Sequence, residues 1–345
     1  MRSFVRRAAP RGLALAGLAI ALAAPTAARS DGLWDGASGA SRDPYRRAIA
    51  RGDQLALRAA EQETLGHGEP ANVLALRAAD AYERASALDP RAAEANYRAA
   101  EVLYLHFIQE SNHPQRLPAE RAVRQWAEFE RKAPRDPRLQ SIYFERSLTF
   151  TKLGGPDNYR RAAADYEKEL RTLDPSSAPE EQVARVLSNA AEIYMALGDL
   201  ERALTLYYDS IEFATTSQRL YAFGLAVALD RDGQATKARE TIRRFGGYSY
   251  EVLNPRDGSV FFIPDGDEHY YQALGHDTAG QLESAINHYR QFLRVQPGSP
   301  YAERARQNIT QLEARMKGKG GKARGRGKAR RDGDGAAAEA TWGTP

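Results

Sequence analysis

The chain has 345 residues, no cysteine, 49 Lys and Arg against 45 Asp and Glu, and a formal charge of +4. The absence of cysteine excludes a disulfide framework, thiol catalysis, cysteine-ligated zinc and a lipid anchor at a leader junction, so stability must come from packing. The charge averages unlike regions: Arg2, Arg6, Arg7 and Arg11 without an acid at the start, a dense run of Lys and Arg after residue 316, and a mildly acidic body between them. A basic total of this kind gives no argument for a nucleic-acid-binding fold.

Residues 1–28 read as a secretory signal peptide: an Arg-rich start, an apolar stretch from Leu13 to Ala24, and Thr26-Ala27-Ala28 with small residues one and three places before a break after Ala28. Cleavage there leaves Arg29 first. The apolar stretch is shorter than the roughly 20 residues a spanning helix needs, which favours cleavage over a retained anchor. The mature chain is therefore expected to be exported, periplasmic and without a transmembrane span. Residues 29–43, with Gly32, Gly36 and Gly39, read as a flexible linker in which Trp34 is the one anchoring side chain.

From residue 44 the chain is rich in Ala, Leu, Glu and Arg, which favour helix. Internal similarity organises it. Residues 93–104 read AEANYRAAEVLY, residues 189–211 read NAAEIYMALGDLERALTLYYDSI, and AINHYRQFLRVQP recurs in the same style before Gly298. Ala191, Gly198, Ala203, Tyr207 and Ser210 follow one another in an ungapped small, turn, small, aromatic, small order, and Ala273, Gly280, Ala285, Tyr289 and Pro297 repeat its spacing, with Phe292 where a small residue is usual. Ala78, Tyr82, Ala85 and Pro90 form half of an earlier unit, and Ala226, Gly233 and Ala238 mark another with Ile242 in the aromatic place.

This pattern resembles the tetratricopeptide repeat (TPR) family. The resemblance implies an all-α, right-handed superhelix of helical hairpins, here spanning 44–88, 91–133, 137–174, 180–214, 217–245 and 267–296, closed by a capping helix from Ser299 to Met316. Two units depart from the pattern. His106 to Leu117 carries residues that must lengthen a helix or form a loop, and one residue too many lies between Tyr166 and Pro175.

Residues 246–266 break the repeat. Two β-prone runs, Tyr250 to Leu253 and Val260 to Ile263, flank the turn-forming Asn254 to Gly258 and predict an inserted β-hairpin, either a plug on the superhelix edge or a protruding binding element. Residues 317–345 form a basic tail with no large apolar side chain before Trp342, expected to be disordered. It reads either as a solubilising extension or as a tether for an anionic polymer or lipid headgroups.

No metalloprotease helix, nucleophile elbow or phosphate loop occurs, and of the six histidines only His269 and His276 can share a helix face, too few for a metal site. The expectation is a non-enzymatic scaffold without cofactor or metal, an adaptor for protein partners in the bacterial envelope. The family resemblance implies that the first helix of each hairpin lines a concave groove. It places Tyr97, Glu101, Tyr104, Arg185, Glu192, Met195, Phe223, Val227 and Tyr270 there, aromatic anchors with a few charges suited to an extended peptide or a partner helix. The Lys and Asn by which chaperone-binding members of the family clamp a terminal carboxylate are not present: Tyr97 and Glu101 stand in their places.

Overall fold

The computed structural model describes residues 43–111, 113–173, 178–247 and 262–333. Among these residues the chain is thirteen helices and no strand. They are α1 (Pro44–Thr64), α2 (Gly68–Leu88), α3 (Glu94–Phe107), α4 (Arg116–Lys132), α5 (Leu139–Leu153), α6 (Pro156–Thr172), α7 (Glu180–Ala196), α8 (Leu200–Phe213), α9 (Gln218–Arg231), α10 (Ala235–Arg244), α11 (Glu268–Thr278), α12 (Leu282–Val295) and α13 (Ala302–Gly333). They pair as six antiparallel hairpins, called units 1 to 6, followed by α13. Each helix packs mainly on its neighbours in sequence, and the first helices α7, α9 and α11 also touch in series. This neighbour-on-neighbour packing is that of a TPR-like helical repeat.

Local chemistry sets the hairpins. At the turn of unit 4, Gly198 has φ 88°, a left-handed conformation that glycine adopts without a Cβ clash. Its N–H donates to the Met195 carbonyl at 3.0 Å and the Asp199 N–H to the Tyr194 carbonyl at 2.9 Å, closing α7. The Asp199 side chain then accepts from the Arg202 N–H and opens α8. Gly66, Gly233 and Gly280 close α1, α9 and α11 with the same bond pattern. The repeat is thus present in the backbone as well as in the side chains.

Helices approach closely where the small residues stand. Ala191 and Ala203, Ala226 and Ala238, and Ala273 and Ala285 are all fully buried, as are the aromatics Trp126, Tyr166 and Tyr207 that fill the remaining space. Gly224, in mid-helix on α9, lies so near the Tyr207 ring that a Cβ there would stand 2.5 Å from it. A helical glycine costs about 1 kcal/mol relative to alanine, and here the close seating of a large ring on the next unit offsets it.

The two irregular regions resolve differently. The surplus residues after His106 form a connection between α3 and α4, held by the Lys152 ammonium, which donates to the Ile108 carbonyl at 2.8 Å and the Gln109 carbonyl at 3.0 Å. The β-hairpin expected over 246–266 is not supported: 248–261 lie outside the described residues, and the flanks carry no strand. On the returning flank Ile263 packs against the core and Pro264 is buried. The segments expected as signal peptide and linker also lie outside the described residues, apart from Asp43. In the tail, where disorder is expected, the backbone of α13 continues as helix to Gly333, and no packing residue in the sequence accounts for a helix through Gly318, Gly320 and Gly321. No helix among the described residues is long and apolar enough to cross a membrane.

Candidate protein-binding face

Residues three and four apart on a helix share a face. On α3 this aligns Tyr97, Glu101 and Tyr104; on α7 it aligns Arg185, Asn189 and Glu192. Rings tie the row together across units 2 to 4. Tyr97 meets Phe129 with centroids 5.5 Å apart, and Tyr104 meets Trp126 at the same separation. Phe144 of α5 stands edge-on to Tyr166 of α6 at 6.5 Å, and the Arg185 guanidinium lies 4.6 Å above the Phe144 ring. The Arg138 guanidinium covers Tyr97 at 4.3 Å while donating to Asp136 and Glu94.

Three carboxylates from three helices stand among these rings: Glu101 on α3, Glu145 on α5 and Glu169 on α6. Burial pushes the Glu145 carboxyl up to about 8, and repulsion from Glu101 and Glu169 adds to it. Burial pushes Glu169 to about 8 as well, against the pull of Arg185. Glu101 is raised by burial, opposed by a hydrogen bond from Tyr97 and by the charge of Arg138. Oε2 of Glu101 and Oε2 of Glu169 are buried without a hydrogen-bond partner. This half of the face holds more carboxyls than its own cations pair with, and burial keeps protons on them.

Tyr97, Glu101, Phe144, Glu145 and Arg185 are each only partly buried, so the row is reachable from solvent. Beside Arg185 a cavity of about 260 Å³ opens between α7 and α9, lined in part by Glu181, Ser217 and Tyr221. Glu181 is built into its wall. Burial raises its carboxyl, but the N–H groups of Thr216 and Thr215 and the side chains of Ser217 and Thr215 outweigh this and bring it down to about 2.

Units 4 to 6 carry the same kind of inward acid in a sealed setting. Glu192 accepts from the hydroxyls of Tyr207 and Tyr271, and burial, opposed by those hydroxyls, sets its carboxyl at about 7. Asp230 accepts from the Tyr270 hydroxyl at 2.7 Å, Asn308 Nδ2 at 2.7 Å and Arg304 at 2.8 Å. Arg231 donates to Asp267 at 2.9 Å, and its guanidinium lies 4.3 Å from the Tyr301 ring and 4.7 Å from the Tyr270 ring. The Tyr301 hydroxyl, ahead of α13, reaches back to the Met195 carbonyl at 2.6 Å.

The nine residues expected to line one groove therefore divide. Tyr97, Glu101, Tyr104 and Arg185 gather in units 2 to 4. Glu192, Met195, Phe223, Val227 and Tyr270 are exposed by 2% or less. The chain's own residues meet most of these five: Phe223 stacks on Tyr271, Glu192 accepts from the Tyr271 hydroxyl, the Met195 carbonyl accepts from Tyr301, and the Arg231 guanidinium lies over the Tyr270 ring. Glu145 and Glu169 were not foreseen. Glu169 follows Tyr166 by three residues, the place held by Ser210 after Tyr207 and Ala85 after Tyr82. A carboxylate where the repeat needs a small side chain was the available signal.

His276 stacks on His288 with ring centroids 5.0 Å apart, and His269 lies 6.0 Å from His288, so α12 supplies a third imidazole to the pair on α11. No group of three or more His, Asp or Glu among the described residues is placed to hold a metal ion.

No family model and no curated protein matches the chain. Among solved structures it is similar to one titled "Functional Characterization of Pseudomonas Aeruginosa pilF", at 14% identity over 74% of this chain and 96% of that chain, with a TM-score of 0.39. The apo form of the quorum sensor NprR from B. thuringiensis is similar at 14% identity over 78% of this chain and 87% of that one, with a TM-score of 0.37. Likenesses this distant say nothing of what the chain binds, and the repeat assignment rests on its own helices.

Proposed function

We propose that the chain is an exported, periplasmic, non-enzymatic scaffold whose repeats wind into a superhelix and hold a partner peptide or helix against the face formed by α3, α5 and α7. The observation that carries this is the row of Tyr97, Glu101, Phe144, Glu145 and Arg185, aromatic and charged side chains on one face that stay partly exposed among the described residues. Rigid aromatic surface beside polar groups is the usual chemistry of a protein-binding hot spot. Export is supported by the leader-like sequence of residues 1–28.

The test is positional. A photo-crosslinking side chain at Tyr97 should capture a partner in intact cells, while one at Tyr208, 50% exposed on α8, should not. Equal capture from both positions contradicts the face. Sequencing the N-terminus of the cell-envelope form tests export: Arg29 first agrees with it, and Met1 first contradicts it.

A second reading has its own observation, the eight Lys and Arg of residues 317–331. On this reading the tail binds an anionic polymer or lipid headgroups and the repeats provide reach. Removing residues 317–345 separates the two, since a tether loses envelope association while the Tyr97 adduct depends on the face alone.

A further inference from the structure

Resting on that docking face, we infer that the carboxylate row of Glu101, Glu145 and Glu169 receives an arginine side chain of the bound polypeptide. Glu169 is 1% exposed and its Oε2 has no hydrogen-bond partner, and Oε2 of Glu101 is likewise buried and unpartnered. A buried acceptor without a donor carries a desolvation cost that a native chain rarely leaves unanswered. Asn189, one helical turn beyond Arg185 on the same side of α7, is also 1% exposed, and neither of its amide atoms has a partner. An amide is not an acid, so the unmet hydrogen bonding extends beyond carboxylate crowding.

The cations at hand do not neutralise the row. Arg185 lies over the Phe144 ring and makes no ion pair with Glu169 among the described residues, its Nε being buried and unpartnered. Arg138 is held by Asp136 and Glu94. In the free protein the deficit is met by protons, which is what the raised carboxyls of Glu145 and Glu169 mean. The phenols that feel the charge of the row are Tyr97 and Tyr104 of α3 and Tyr166 of α6, all raised above the usual phenol range by burial first.

A guanidinium suits this vacancy better than the alternatives. It brings one delocalised charge and five N–H donors in a plane, and so can serve carboxylates on different helices. It also tolerates aromatic surroundings, as Arg138 over Tyr97 and Arg185 over Phe144 already do on this face. A metal ion would need its ligands converged, and no described group is so placed. The occupant is a polypeptide and not free arginine because the docking face around the carboxylates runs from α3 across α5 to Arg185 of α7. At about 8–10 Å between packed helix axes this is longer than one amino acid.

The experiment is a selection from a random heptapeptide library on the full mature protein and on its E145Q/E169Q variant. Arginine should be enriched severalfold on the unaltered protein and not on the variant. Replacing that arginine by uncharged citrulline in the best peptide should weaken binding about tenfold, the scale of a charge-assisted hydrogen-bonded pair. Calorimetry in buffers of different ionisation enthalpy should find protons released at pH 7 on binding, and none released by the variant. The variant's melting temperature, unchanged or higher, shows that its loss is not unfolding. No arginine enrichment, an indifferent citrulline peptide, or free arginine binding as tightly as the peptide overturns the inference. If a Tyr97 adduct forms while arginine proves irrelevant, only the arginine assignment falls; if no adduct forms at Tyr97, the docking face itself falls.

Discussion

Units 2 to 4 and units 4 to 6 each bury acidic side chains between their helices and treat them in different ways. In units 4 to 6, Asp230 is met by Tyr270, Asn308 and Arg304, and Glu192 by two tyrosine hydroxyls. Those donors come from α8, α11 and α13, so unit 6 and the last helix act as a built-in occupant of that stretch of the face. Among the described residues no donor from a later unit bonds Glu101, Glu145 or Glu169; one oxygen each of Glu101 and Glu169 lacks a donor, as does Oε1 of Glu192 in the other half. One fold thus yields a closed stretch and an open one, and the difference lies in whether later chain returns to supply donors.

The comparison can be broken most forcefully in the closed half. Arg231→Ala strips the cation from a fully buried setting, leaving Asp267 unpaired and Tyr270 and Tyr301 without the charge between them. Removing one member of a buried pair typically costs about 3–5 kcal/mol, and urea denaturation should show a loss of that order. Asn308→Ala removes donors to Asp230 and to the Tyr289 hydroxyl, with an expected cost of about 1–3 kcal/mol for buried acceptors left unmet. Tyr301→Phe deletes the single bond to the Met195 carbonyl and should cost about 1 kcal/mol by the same measurement. Losses that small for Arg231→Ala as well would mean that the closed half is not held by its polar network.

Changes in the open half should carry the opposite sign. With Glu145 and Glu169 each raised from 4.5 to about 8, the folded chain keeps protons that the unfolded chain releases between those values. Their contribution to stability is complete below pH 4.5, falls as pH rises, and levels off above about pH 8. E145Q/E169Q should therefore match the unaltered protein at pH 4.5 and exceed it at pH 8, read as a rising difference in denaturation midpoint. Glu181 works the other way: held down at about 2, it stabilises above its unfolded value of 4.5 and loses that contribution as pH falls toward 2.

Much of the fold was readable from sequence because the repeat is written in residue size. The order of Ala191, Gly198, Ala203, Tyr207 and Ser210 encodes a close crossing, a left-handed turn and a ring-filled gap, and the hairpin limits follow from it. The binding face was only half readable. Periodicity puts Tyr97 and Tyr270 on the same side of their helices, but it cannot say that Tyr301 and Asn308, far along the chain, return to cover one and not the other. The inserted segment shows the same limit from another side: Val260 to Ile263 has strand propensity, and of this run the described Phe262 and Ile263 carry no strand while Ile263 packs on the helical core.

The most direct measurement is a pH titration of the glutamate side-chain carboxyl carbons by NMR in the free protein, with Glu145 and Glu169 assigned through their single Gln variants. Both should titrate near pH 8, well above the ordinary glutamate value of 4.5 and above Glu192 near 7. If Glu145 and Glu169 titrate in the ordinary carboxylate range, the open half already holds the charge it needs, and the contrast between the two halves is wrong.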